Sequence, residues 1–309
     1  MRAALTKITR RAVLKTGLAA AAGGNIGRAV SKIARLEIGG GTIDASVEGG
    51  PCDLSTTDVV QWVTEAARAV TSYFGRFPVQ RARVEIRIVE GRQGVLRGTS
   101  FGEDGVLSRM AVGQHSTVYD LKDDWTMAHE MVHFGFPSVR RRHHWIEEGS
   151  ATYIEPIARA QIKQLTAKQV WGDMVRDMPQ GLPHPGDQGL DNTHTWASTY
   201  WGGAIFCVVA DVRIRKRTGN KKGLQDAFRA INRAGGSIKV EWPLDRVLAI
   251  GDRATDGNTL AELYQQMGLE YLSIDLAALW TQLGVIWDGD RVMFDGHAPL
   301  AAVREAILV

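Results

Sequence analysis

The sequence predicts an α+β fold of two lobes, a mixed α/β N-terminal lobe followed by a mostly helical one. Three observations carry that reading. Short stretches before residue 113 alternate apolar and polar residues, the period of half-buried strands. Apolar residues after residue 145 recur at helical spacing. Between them stands Asp123-Asp124-Trp125-Thr126-Met127-Ala128-His129-Glu130-Met131-Val132-His133-Phe134, an amphipathic run that places two histidines four residues apart.

Residues 1–30 read as a targeting segment, with a first lobe over 31–135 and a second over 136–309. Thr9-Arg10-Arg11-Ala12-Val13-Leu14-Lys15 is close to a twin-arginine export signal. The apolar run behind it, residues 17–22, is too short for a stable membrane span. The expected location is therefore periplasmic or extracellular. The full chain has 37 Lys and Arg against 34 Asp and Glu, a formal charge of +3. Arg2, Lys7, Arg10, Arg11 and Lys15 supply five positive charges with no acid beside them, so the chain without them is near −2, or −3 if Arg28 leaves as well. Overall basicity is thus no argument for nucleic acid. Arg140-Arg141-Arg142-His143-His144 is a local basic run, expected to be a solvated loop.

In the first lobe, residues 33–38 and 42–47 are expected to pair as strands around the turn Gly39-Gly40-Gly41. Residues 56–74 are expected to form a helix behind the cap Ser55, with Val59, Val60, Val63, Ala66, Ala67 and Val70 at helical spacing. Residues 83–90 alternate strictly, with Val84, Ile86 and Ile88 on one side. A second pair spans 94–101 and 108–113. In the second lobe, helices are expected over 145–154, 195–217, 222–234, 260–267 and 274–283, then a small hairpin turning at Asp288-Gly289-Asp290. Residues 180–192, rich in Gly, Pro and Asp, are expected at a cleft rim. Cys207 lies in the apolar run 204–210, which favours a buried thiol over a disulfide with Cys52. His115, His184 and His194 fall on loops, His194 near enough in sequence to Tyr200 to line a cleft.

The chemistry centres on His129-Glu130-Met131-Val132-His133. On a helix both imidazoles reach one metal ion, and the glutamate beside the first can take a proton from the water bound there. This is the His-Glu-x-x-His arrangement of zinc peptidases. Asp120, Asp123 and Asp124 are expected to open the helix, and Pro137 after Gly135 to close the run. A third ligand should come from another element. Glu147 and Glu148, on the next expected helix, point about 100° apart, so one of them can face the metal. The residues alone do not choose between them.

Trp145-Ile146-Glu147-Glu148-Gly149-Ser150-Ala151-Thr152-Tyr153 after His-Glu-x-x-His resembles the signature of the gluzincins, zinc peptidases with a glutamate third ligand. It is most similar to the glycyl aminopeptidase family and its leucyl/alanyl aminopeptidase relatives. The resemblance implies a thermolysin-like two-lobed zincin holding one Zn²⁺ on His129, His133 and Glu148. It extends to Thr199-Tyr200-Trp201-Gly202-Gly203-Ala204 and to residues 211–219, and implies that the Tyr200 hydroxyl stabilises an oxyanion. Two departures stand out. The spacer after His133 is a few residues shorter than usual, and the lysine that follows the tyrosine in those families is absent.

In thermolysin-like folds a strand edge beside the zinc helix binds extended substrate through its backbone. The last strand before the helix is the natural candidate, which nominates Ala111, Val112 and Gly113 for substrate binding. Aminopeptidases of these families also hold the substrate amine with a carboxylate near that strand. Gly98-Thr99-Ser100-Phe101-Gly102 offers none, and Glu103 is a weak substitute better suited to a solvated turn. The expected activity is therefore zinc-dependent hydrolysis of a peptide or small amide, with exopeptidase action not implied. Two other classes fit less well: a zinc hydrolase of a small non-peptide substrate, and a non-catalytic exported binding protein. The second needs neither Glu130 nor Tyr200.

Overall fold

The computed structural model describes residues 30–309. The leader expected over residues 1–30 lies outside the described residues, apart from Val30 at the start of the first strand. The first lobe holds β1 (Val30–Ile38), β2 (Gly41–Glu48), α1 (Thr56–Phe74), β3 (Arg81–Val89), β4 (Val95–Phe101) and β5 (Val106–Gly113). Its sheet has the order β1-β2-β3-β5-β4. The β2–β3 and β3–β5 pairs are parallel, while β1–β2 and β4–β5 are antiparallel. Both edge strands carry a bulge, between Lys32 and Ala34 on β1 and between Val95 and Arg97 on β4.

Period-2 alternation divides the sheet into two faces. Ala82, Val84, Ile86 and Ile88 of β3 are buried with Ile43, Ala45, Met110 and Val112 of its neighbours. Arg81, Arg83 and Arg87 point the other way into solvent. That outer face is laced by Lys32–Asp44 and Arg81–Asp44, both at 2.7 Å, and by Arg109–Glu85 at 3.1 Å. Helix α1 begins where expected. Ser55 Oγ accepts from the Asp58 backbone N–H, and the Asp58 carboxylate accepts from the Ser55 N–H, which together satisfy two otherwise orphan donors. Its buried stripe packs on β1 and on two helices of the site.

After the sheet come α2 (Val118–Asp123), α3 (Thr126–His133), α4 (His144–Gln161) and α5 (Ala167–Asp177). A π-turn over Ser198–Gly202 leads into α6 (Gly203–Thr218). Then follow α7 (Leu224–Arg233), α8 (Leu244–Ala254), α9 (Thr259–Leu263) and α10 (Leu276–Leu283). The expected hairpin is β6 (Val285–Trp287) with β7 (Val292–Phe294), and α11 (Ala301–Ile307) ends the chain. One buried apolar cluster runs through both lobes, from Ile43 to Ile307. No helix among the described residues is long and apolar enough to cross a membrane. Cys207 is buried and free, and Cys52 is free as well.

Three expectations are corrected here. First, β5 is not an edge. The chain returns as β4 along its outer side, so the backbone of Ala111, Val112 and Gly113 is held by β3 on one flank and β4 on the other. The edge beside the histidine helix is β4. Second, the acidic residues do not open one helix. Thr117 and Asp120 cap the separate helix α2, while Asp124 alone accepts from the N–H groups of Thr126 (2.9 Å) and Met127 (3.0 Å) at the start of α3. Third, α5, α8 and α11 were not expected, and α4 runs on past Pro156 to Gln161.

Candidate active site

Helix α3 is short and almost wholly inside the protein, with Thr126 to Val132 all buried. His129 and His133 stand one turn apart, ring centroids 5.0 Å. Helix α4 lays Glu148 against both. Its Oε2 is 3.1 Å from His129 Nε2 and 3.7 Å from His133 Nε2. A zinc ion about 2.0–2.1 Å from each of its tetrahedral ligands separates their donor atoms by about 3.4 Å, so the spacing found here fits such an ion. The three residues place one donor atom each within 4.8 Å of the others. Glu147 faces elsewhere, where its Oε1 accepts the Val139 N–H at 2.9 Å. The pair the sequence left open is thus divided by geometry, with Glu148 toward the histidines and Glu147 bracing the connecting loop.

That loop is pinned to a distant segment at Ser138. Ser138 N–H donates to Val240 O, and Ser138 O accepts from Trp242 N–H, both at 2.9 Å. Burial works to raise the Glu148 carboxyl, but His133, His129 and His144 beside it hold it well below the usual carboxylate range. Burial works to lower the His129 imidazole, yet the Glu148 carboxylate raises it above its ordinary value. His129 Nδ1 is buried without a hydrogen-bond partner.

Glu130, also buried, lies under the edge strand. A methyl group at Gly98 of β4 would sit 2.5 Å from Glu130 Cγ and 2.8 Å from Thr126 Cγ2, so only glycine lets the strand come this close. Ser100 Oγ fastens the strand to the helix by donating to the Glu130 carbonyl at 2.9 Å. Tyr200 stacks on His129 with centroids 6.1 Å apart, and Trp196 stacks on Tyr200 at 5.7 Å. Burial, with Glu148 and Glu130 nearby, keeps the Tyr200 phenol well above its usual range, so it stays a hydrogen-bond donor. Its place depends on a second close approach. A methyl at Gly149 of α4 would collide with Gly203 Cα at 2.3 Å, which brings the π-turn carrying Tyr200 onto the helix carrying Glu148.

These groups line a cleft of about 690 Å³ together with residues 97–103, His144 and Ile238. Ala111, Val112 and Gly113 are not in its wall; Gly98, Thr99 and Ser100 are. The available signal was a glycine inside a strand pattern, which marks a close backbone approach. Glu103 reaches the cleft, whereas His194 does not. The loop over 180–192 does not reach this rim. It folds around a small apolar cavity with Met267, and Asp191 within it is buried. His115 pairs instead with Asp53 at 3.0 Å. The basic run is split, with Arg140, Arg141 and Arg142 exposed but His143 buried.

No family model matches the sequence, and no curated protein matches it. Solved structures do. An aminopeptidase N family protein from Idiomarina loihiensis is 13% identical, with a TM-score of 0.64 over 83% of this chain and 49% of that one. An M1 zinc metallopeptidase from Deinococcus radiodurans is 13% identical, with a TM-score of 0.52 over 80% of this chain and 53% of that one. A mutant of the latter, solved with a Tyr-Ser-Ala substrate, matches equally well. The chain spans about half the length of these proteins. What they share with it is the fold.

Proposed function

We propose that the protein is a zinc-dependent metallopeptidase of gluzincin type, acting on a peptide or small amide. The observation that carries the reading is the convergence of His129, His133 and Glu148 on one point, with Glu130 beside it under an open strand edge. His129, His133 and Glu148 would hold one Zn²⁺, which when bound lowers the pKa of a water molecule and polarises a carbonyl. Glu130 takes the proton from the attacking water and passes it to the leaving amine. Tyr200 donates a hydrogen bond to the carbonyl oxygen as negative charge develops there, an interaction needed mainly in the transition state. The β4 edge at Gly98, Thr99 and Ser100 receives extended substrate in place of Ala111, Val112 and Gly113. Export by the twin-arginine-type leader belongs to the same proposal, since that route carries folded proteins and suits an enzyme loaded with metal beforehand.

The test is Glu130→Gln, assayed for zinc content and for hydrolysis of a peptide library. We expect one zinc per chain to remain and turnover to fall by on the order of 10²–10⁴-fold. Near-normal turnover would remove Glu130 as the base and the reading with it.

A further inference from the structure

His144 has no role in the mechanism above, yet it is placed against it. It is the first residue of α4, with 52% of its side chain exposed in the cleft wall. Its Nε2 lies 3.3 Å from Glu148 Oε1, and its Nδ1 lies 4.0 Å from Glu147 Oε1. The two oxygens of Glu148 are therefore divided between partners, Oε2 toward His129 and His133 and Oε1 toward His144. Glu147 is itself fixed by the Val139 N–H at 2.9 Å, so the imidazole stands between two carboxylates, one of them anchored to the backbone. A carboxylate without such a neighbour turns about its terminal bond and presents either oxygen, or both, to a metal. Held at Oε1, it presents Oε2 alone.

We propose that His144 is a positioning residue for the metal: it fixes the Glu148 carboxylate so that one oxygen faces His129 and His133, and thereby tightens zinc binding. This rests on the metal site proposed above. It assigns a function to part of the basic run 140–144, whose arginines remain solvated. Removing a group that orients a metal ligand in this way typically costs about 10- to 100-fold in metal affinity or activity.

The experiment measures the zinc dissociation constant by chelator competition for the wild-type full chain, His144→Ala and His144→Gln, with thermal unfolding of each metal-free protein alongside. We expect His144→Ala to bind zinc about 10- to 100-fold more weakly at an unchanged unfolding temperature, and His144→Gln, whose amide N–H can reach the same oxygen, to stay within about threefold of wild type. Equal affinity in His144→Ala and wild type would overturn the inference, including the case where only KM rises, which would make His144 a substrate contact. A loss in His144→Gln as large as in His144→Ala would overturn it too. Wild type that binds no zinc would overturn the metal reading itself, and this inference with it.

Discussion

Two histidine–carboxylate clusters flank the start of α4, and they differ in what is left over. In the first, His143 Nδ1 donates to Asp191 Oδ1 at 2.8 Å, Trp145 Nε1 donates to the same oxygen at 2.8 Å, and the Tyr264 hydroxyl donates to Oδ2 at 2.7 Å. His143 Nε2 in turn accepts from Arg142 Nε at 3.0 Å. Every polar side-chain atom of His143 and Asp191 has a partner, so the cluster is closed. In the second, His129, His133 and Glu148 aim their donor atoms at one shared space, and His129 Nδ1 has no partner at all. Residue types and burial are nearly the same in both. The difference teaches that buried histidines and carboxylates are structural when their hydrogen bonds account for one another. They point to a ligand when, as here, their atoms converge on one space and a buried one is left without a partner.

Three variants break or sharpen that contrast. The largest effect is expected from Glu148→Ala, which should reduce zinc from one per chain to none by elemental analysis, while Glu147→Ala keeps it. The opposite outcome would move the ligand by one residue and undo the geometry described. Tyr200→Phe comes next, with zinc retained and turnover lowered by about 100-fold, the loss of about one oxyanion donor. An unchanged rate would take Tyr200 out of the site. The smallest effect belongs to the closed cluster. Asp191→Asn should destabilise the protein by about 1–3 kcal/mol in denaturant unfolding, because an amide nitrogen then faces buried donors, with zinc stoichiometry intact. Loss of zinc in that variant would show that the two clusters are not separate.

What sequence reasoning found, and what it missed, follows from the range of the forces involved. The α1 cap and stripe, the β3 alternation and the His129–His133 spacing are local, set by residues within one or two turns of each other. The choice between Glu147 and Glu148 depends on how the connecting loop is tied to residues 240–242, about 100 residues away in sequence, so only the resemblance could make it. The mistaken edge assignment of β5 has the same cause. Alternation marks β4 and β5 as a pair, but nothing in either strand says which lies outside. The closed cluster was invisible for a further reason, since Asp191 sat in a loop expected at the cleft rim and His143 in a run expected in solvent. Helices α5 and α8 went unread although their buried faces repeat at helical spacing.

The bulges noted at Lys32–Ala34 and Val95–Arg97 bear on how this protein behaves in a crowded solution. An open strand edge is a template on which another molecule's sheet can grow, the first step toward aggregation. Both outer strands here are kinked, and both carry charge: Lys32, Arg35 and Glu37 on one, Arg97 on the other. A rigid neighbouring sheet approaching β4 meets the kink and the arginine before it can align. A short flexible segment needs only the straight stretch from Gly98 to Phe101. The bulge and the arginine thus hinder pairing of another sheet along the whole of β4 and leave Gly98 to Phe101 as its regular stretch.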